Sequence, residues 1–233
     1  MTVAEGGLSP DCRQLLVVTA SGWTSVVGHL QCFQRSPGDD RWQPSGASIA
    51  VRLGCSGLAW GRGLHCNPAD GRCKGEGDGC APAGLFAVGL LFGEARERPD
   101  GKHAGRDFLV VGPSLKAIDD PASVHYNRIV DVADLPVPDW RSCEDMQRAD
   151  SRYVLGAVIG HNPPPALPGA GSCIFLHVWE NAAPTAGCTA MALEDMRWLA
   201  GWLDAAAQPV LVQLPAEAYA ARQADWGLPA LLP

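Results

Sequence analysis

The sequence predicts a mainly β protein with a few short helices. Three observations carry that expectation. The apolar runs are short, β-branched and partly alternating, which suits half-buried strands better than long amphipathic helices. Glycine (27) and proline (19) fill about a fifth of the 233 residues, so turns must be frequent. Only one segment, Ala192 to Asp204, shows a clear helical period. The length suits one large domain, taken as residues 1–233, and no internal repeat divides it.

The elements follow in order. "CRQLLVVTA" (Cys12 to Ala20) and "SVVGHLQCFQR" (Ser25 to Arg35) are two strands joined around "SGW". "SIAVRL" (Ser48 to Leu53) and "GLFAVGLLFG" (Gly84 to Gly93) are further strands, with a bulge expected at Gly89. "RSCEDMQRAD" (Arg141 to Asp150) reads as a short helix, because Ser142 and Asp145 have capping-box spacing. "YVLGAVIGHN" (Tyr153 to Asn162) and "SCIFLHVW" (Ser172 to Trp179) are strands on either side of the irregular "PPPALPGAG". "ALEDMRWLAGWLD" is a helix with Leu193, Met196, Leu199 and Leu203 on one face and acids in its first turn. "PVLVQL" (Pro209 to Leu214) returns as a strand before a short alanine-rich tail.

Several function classes are disfavoured at once. The net charge of −7 has no compensating basic stretch, which argues against a nucleic-acid or anionic-membrane partner. No run of eighteen apolar residues offers a transmembrane segment. "MTVAEGGLSPDC" lacks a basic stretch followed by an apolar one, so the protein either stays in the cytosol or has lost a leader. Of nine cysteines, Cys66, Cys73 and Cys80 share a polar, glycine-rich loop. Their even spacing of seven lacks the close pair of a zinc site, so a loop disulfide or unpaired thiols are the better readings and no metal is expected.

The chemistry-bearing stretch is "SCIFLHVWENAAPTAGCTAM". Strand alternation puts Ile174, Leu176 and Val178 on a core face, and Cys173, Phe175, His177 and Trp179 on the other. "ENAAPTAG" then reverses the chain, so Cys188 returns beside His177 as in a hairpin. A thiol beside an imidazole can form the thiolate–imidazolium pair of a cysteine nucleophile. Gly187 allows close backbone approach and its turn could offer an oxyanion hole, while the following helix would turn its positive end toward the sulfur. An inert thiol and a hydrogen-bonded structural histidine is the competing reading. A papain-like arrangement does not fit, because there the cysteine precedes the histidine.

The same run resembles the active-site signature of the L,D-transpeptidase (YkuD-domain) family, a histidine followed at short range by Ser/Thr-x-Gly-Cys. His177, Thr185, Gly187 and Cys188 occupy its positions. "KGEGDGCAPAGLFAVG" resembles the family's glycine-rich segment, with Pro82, Gly84 and Phe86 in place and Ala81 where threonine is usual; "IDDPASVHYNRIVD" resembles a substrate-side segment. The matching motifs span about 74–214. The resemblance implies a β-sandwich-like catalytic domain, with a short helix after the nucleophile, acting on peptidoglycan stem peptides that contain diaminopimelate. Cys188 would attack the carbonyl of the third stem residue and expel the terminal D-alanine, and an amine would resolve the thioester into a 3→3 crosslink or other amide. No cofactor is implied, carbapenems are implied inhibitors, and a periplasmic or cell-envelope location follows. Ala186 and Ala190 stand where many members carry histidine and arginine, which opens the alternative of hydrolysis by an L,D-carboxypeptidase or amidase. A non-catalytic, disulfide-stapled domain that binds cell-wall peptide is the other alternative.

Three further residues are candidates for substrate contact. His161 ends a strand beside the loop leading to His177, and either lines the cleft or caps that loop. Asn127 and Arg128 lie in a polar run suited to a zwitterionic peptide terminus, or else form a structural turn. His29, His65 and His103 are read as structural, and Cys173 as a buried thiol.

Overall fold

The structure, a computed structural model, describes residues 7–66, 71–99, 108–135 and 137–231. His103 and part of the cysteine-rich loop lie outside them. The chain is mainly β, with thirteen strands and two α-helices among the described residues. The strands are β1 (Gln14–Ala20), β2 (Val27–Gln34), β3 (Gln43–Arg52), β4 (Leu58–Trp60), β5 (Ala81–Gly93), β6 (Phe108–Val110), β7 (Leu115–Ile118), β8 (Arg128–Asp131), β9 (Glu144–Asp145), β10 (Leu155–Ile159), β11 (Phe175–Val178), β12 (Thr189–Met191) and β13 (Val210–Pro215). The helices are α1 (Leu193–Trp202) and α2 (Ala216–Trp226).

The main sheet runs β10-β11-β12-β3-β2-β1-β13-β5, and β5 pairs again with β10, so the two ends meet in a closed ring. The long β5 makes this closure possible. Its start pairs with β4 from Ala81 to Ala83, its middle with β13 from Gly84 to Ala87, and its last part with β10 from Val88 to Gly93. The β5–β10 register shifts opposite Gly89, where the bulge was expected. The weakest seam is β12–β3, a single pair between Ala190 and Arg52.

Two cores result. β1, β11 and β13 bury Leu15, Val17, Leu176, Val178, Leu211 and Leu214 in the larger one. α1 adds Met196, Leu199 and Ala200, and α2 adds Tyr219 and Trp226. The smaller core holds Phe92, Leu115, Ala117, Met146, Tyr153, Cys173 and Phe175. It joins the ring to a second, three-stranded sheet ordered β8-β7-β9. There the rings of Phe92, Tyr153 and Phe175 meet edge to face, with centroids 5.1 to 5.6 Å apart.

One expectation about local structure is corrected, and two open points are filled in. Residues 141–150 are not a helix: Glu144 and Asp145 pair with Ala117 and Lys116, and Met146 is buried in the small core. Tertiary pairing overrides the capping-box spacing. The alanine-rich tail, to which the sequence reading assigns no element, is helical. It forms α2, which begins after Pro215 and stops at Gly227, whose φ of 64° ends the helix with backbone bonds back to Gln223 and Ala224. Of the two readings of the cysteine-rich loop, the structure has the unpaired one at Cys66 and Cys80, which are free thiols.

Candidate active site

β11 alternates as the sequence indicates. Ile174, Leu176 and Val178 enter the main core, whereas Phe175 and Cys173 enter the small core and His177 and Trp179 line a cleft. The expected hairpin is not formed. β12 runs parallel to β11, with Leu176 opposite Thr189 and His177 opposite Ala190. This register places Cys188, at the head of β12, opposite Phe175 and one diagonal step from His177 on the same face. Parallel pairing therefore brings the two residues together by strand register, where the hairpin would have used a tight turn.

Thr185 shapes the turn before Cys188. Its hydroxyl donates to the Cys188 carbonyl at 2.6 Å and accepts the Gly187 N–H at 3.1 Å. Thr185 itself is tied to the ring by backbone bonds to Leu53 and Cys55. Gly187 has a φ of 156°, and a Cβ there would lie 3.1 Å from the Cys80 carbonyl oxygen and 3.3 Å from Lys74 Nζ. Glycine is required there by conformation and by space. Its N–H is already engaged by Thr185, so Gly187 shapes the turn and its own N–H is not a spare oxyanion donor.

The electrostatics correct a second expectation. Cys188 Sγ accepts the Phe175 N–H at 3.3 Å and lies 3.6 Å from the Cys173 carbonyl oxygen, to which the thiol hydrogen can point. Burial pushes the thiol up to about 12, and the charge of Glu144 adds to the rise. Burial also pushes His177 down to about 4, reinforced by Arg152 and Arg148. At rest the pair is therefore a neutral thiol and a neutral imidazole, not an ion pair. His177 Nδ1 lies 2.8 Å from the Val178 carbonyl oxygen, which can only accept, so Nδ1 carries the proton and Nε2 keeps its lone pair. The start of α1 is separated from Cys188 by the length of β12, about 10 Å. That exceeds the reach of a helix end, and Glu194 and Asp195 occupy its first turn.

The cleft has a volume of about 190 Å³. One wall is small and apolar, built from Ala183, Pro184, Ala186 and Ala190 beside Thr185 and Cys188. The opposite wall is charged, with Glu144, Arg148, Arg152 and Tyr153. Arg148 is fixed by paired bonds to Asp150, 2.6 to 3.1 Å long, and its guanidinium sits 5.2 Å over the Tyr153 ring. Arg152 pairs with Glu180 at 3.0 Å. The Tyr153 hydroxyl donates to Glu144, and its ring meets His177 edge-on with centroids 5.5 Å apart. The sequence does not announce this wall: residues 141–150, which carry Glu144 and Arg148, have helical capping spacing, and nothing local marks Arg152 and Tyr153 as their neighbours in a cleft.

His161, Asn127 and Arg128 do not line the cleft. Asn127, at φ 62°, donates to the carbonyls of His161 and Asn162 and accepts the Cys173 N–H, so its amide is spent on joining three backbone segments. His161 is buried, with Nε2 3.0 Å from the Ala170 carbonyl oxygen. Burial pushes it down to about 4. Arg128 is exposed at the start of β8. No group of three or more His, Cys, Asp or Glu side chains is arranged to hold a metal ion among the described residues. No helix among them is long and apolar enough to cross a membrane.

Comparison with known proteins fits this geometry. The family model described as the YkuD L,D-transpeptidase catalytic domain matches residues 57–212, about two thirds of the chain. That segment carries the signature from His177 to Cys188 and the whole charged wall, while β1, β2 and β3, which complete the ring, precede it. No curated protein matches the sequence. With its mainly β ring and its histidine and cysteine on adjacent parallel strands, the chain belongs to the L,D-transpeptidase (YkuD) catalytic-domain family.

Proposed function

We propose that this protein is a cysteine-dependent L,D-transpeptidase that acts on peptidoglycan stem peptides through an acyl-thioester. The observation that carries the reading is Cys188 at the edge of a cleft shared with an imidazole whose Nδ1–H is fixed by a backbone carbonyl. That bond leaves Nε2 to accept the thiol proton. Because both groups rest neutral, proton transfer accompanies attack. Sγ bonds to the carbonyl carbon of the third stem residue as its proton passes to His177. The tetrahedral intermediate then collapses, the C–N bond to D-alanine breaks, and the leaving amine takes the proton from the imidazolium. A second amine repeats the sequence in reverse to give an amide, or water gives the free acid. Arg148 and Arg152 suit the carboxylates of a diaminopimelate-containing peptide, a task that an alanine at position 190 cannot perform. Such chemistry belongs to the cell envelope, and in the periplasm it would meet its substrate directly.

The test incubates the protein with a disaccharide tetrapeptide containing diaminopimelate and reads products by mass spectrometry, with Cys188→Ala as the control. The expected result is a crosslinked dimer from the wild type and none from the variant. A carbapenem should likewise leave a covalent adduct on the wild type only. Tripeptide without dimer would mark the protein as a hydrolase of the same acyl-enzyme. No product and no adduct would sink the enzymatic reading.

A further inference from the structure

The charged wall contains a carboxylate that the acyl-transfer steps above leave without a task. Two glutamates line the cleft. Glu180 is half-exposed and ion-paired with Arg152, but Glu144 is directed to the Tyr153 hydroxyl and sits close enough to Cys188 to raise its thiol. β9 holds Glu144 over the cleft by pairing with β7, and the Lys116–Asp145 ion pair anchors the next residue. The groups facing Glu144 are Arg148 and Tyr153 from the following loop, Asp119 and Glu76 from the packed side, and the Cys188 thiol. Burial, together with Asp119 and Glu76, raises its carboxyl above the ordinary range and so makes the carboxylate a stronger base.

Proton balance shows why such a group matters. An acceptor amine in neutral water arrives mainly as R–NH3+. Forming R'CO–NH–R from it releases two protons. One returns to Sγ by way of His177 when the C–S bond breaks and the thiol leaves. The other has no acceptor in a cysteine–histidine pair. Water, by contrast, brings no such excess proton to the thioester.

We propose that Glu144 is a catalytic residue for the aminolysis half-reaction: it binds the acceptor ammonium in the cleft and takes the excess proton, so that the neutral amine attacks the thioester. The proposal rests on the acyl-transfer reading and deepens it. The acceptor class it implies is a cationic primary amine, and the carboxylate selects that amine over water.

The test uses the full chain with the tetrapeptide as both donor and acceptor, comparing wild type with Glu144→Gln. Glutamine keeps an acceptor for the Tyr153 hydroxyl but cannot take a proton. Intact-protein mass reports the thioester, and product analysis reports the ratio of crosslinked dimer to tripeptide from pH 6.5 to 9. Glu144→Gln should form thioester within threefold of the wild-type rate and hydrolyse it equally fast. Its dimer-to-tripeptide ratio should fall at least tenfold at pH 7 and recover as rising pH supplies free amine. Glu144→Asp should fall between the two. An unchanged ratio at pH 7, a loss that alkali does not rescue, or a variant that forms no thioester when the wild type does would each overturn the assignment. Absence of thioester from the wild type would instead refute the acyl-transfer reading itself.

Discussion

The neutral resting pair makes Cys188 a poor target for a reagent that does not dock. With the thiol pushed up to about 12, its thiolate fraction at pH 7 is about one part in 10⁵, roughly a thousandth of that of an ordinary thiol. A more basic thiolate is intrinsically more nucleophilic, and a Brønsted slope of about 0.4–0.5 restores a factor of roughly 20. Iodoacetamide should therefore label Cys188 about 30- to 60-fold more slowly than an ordinary exposed cysteine at pH 7, before any steric penalty. The molecule supplies its own reference in Cys55, which is exposed. Peptide-resolved mass spectrometry over time gives both rates in one sample. The Cys188 rate should climb tenfold for each pH step up to about pH 11, without a plateau near neutrality. If a carbapenem docks in the cleft with His177 as base, as the proposed function expects, it should nevertheless acylate Cys188. Labelling of Cys188 faster than Cys55 at pH 7, or a rate already level between pH 6 and 8, would show a resting ion pair and refute the argument.

Two further outcomes follow from the same geometry. His177 and His161 are both buried with values near 4, so above about pH 6.5 neither state is charged and they do not affect stability. As pH falls from 6.5 toward 4, the unfolded chain takes protons that the fold refuses, and each histidine should cost about 2–3 kcal/mol by pH 4.5. Urea midpoints at pH 7.5 and 4.5 should show this fall, and His177→Asn should remove about half of it; a flat profile would contradict the burial argument. Thr185→Val removes the donor to the Cys188 carbonyl and the acceptor of the Gly187 N–H, which should cost about 1–3 kcal/mol and lower kcat/KM at least tenfold. Thr185→Ser should retain most of both, and equal losses in the two variants would show that the hydroxyl is not what holds the turn.

Legibility in the sequence followed the range of the interactions concerned. The alternation of Ile174 to Trp179 is a local, period-two pattern, and it gave the correct division of β11 into a core face and a cleft face. The helical period of α1 was equally local. Parallel pairing of β11 with β12 was not legible, because a short connection between strands suggests a hairpin and nothing in "ENAAPTAG" reports the direction of return. The charged wall was hidden for a related reason. Glu144 takes its place from pairing with Ala117, twenty-seven residues earlier, and capping-box spacing carries no trace of that partner. α2 is bracketed by Pro215 and Gly227, start and stop signals that are local, but its small alanine side chains give only a weak apolar period between them. Asn127 and His161 do not face the cleft: the Asn127 amide joins three backbone segments, and His161 is buried against the Ala170 carbonyl, long-range placements that local sequence does not report.

The parallel register of β11 and β12 also divides responsibility within the site. A chain that must travel from the end of one strand back to the start of its parallel neighbour has to run back over a face of the sheet, and here that return path supplies Trp179, Glu180 and Ala183 to Ala186 as cleft lining. The spacing between Cys188 and His177 is written in backbone hydrogen bonds, while the shape of the opening is written in the length and content of the crossing. Insertions or replacements within 180–184 can thus re-cut the opening for a different peptide without disturbing the partnership of Cys188 and His177.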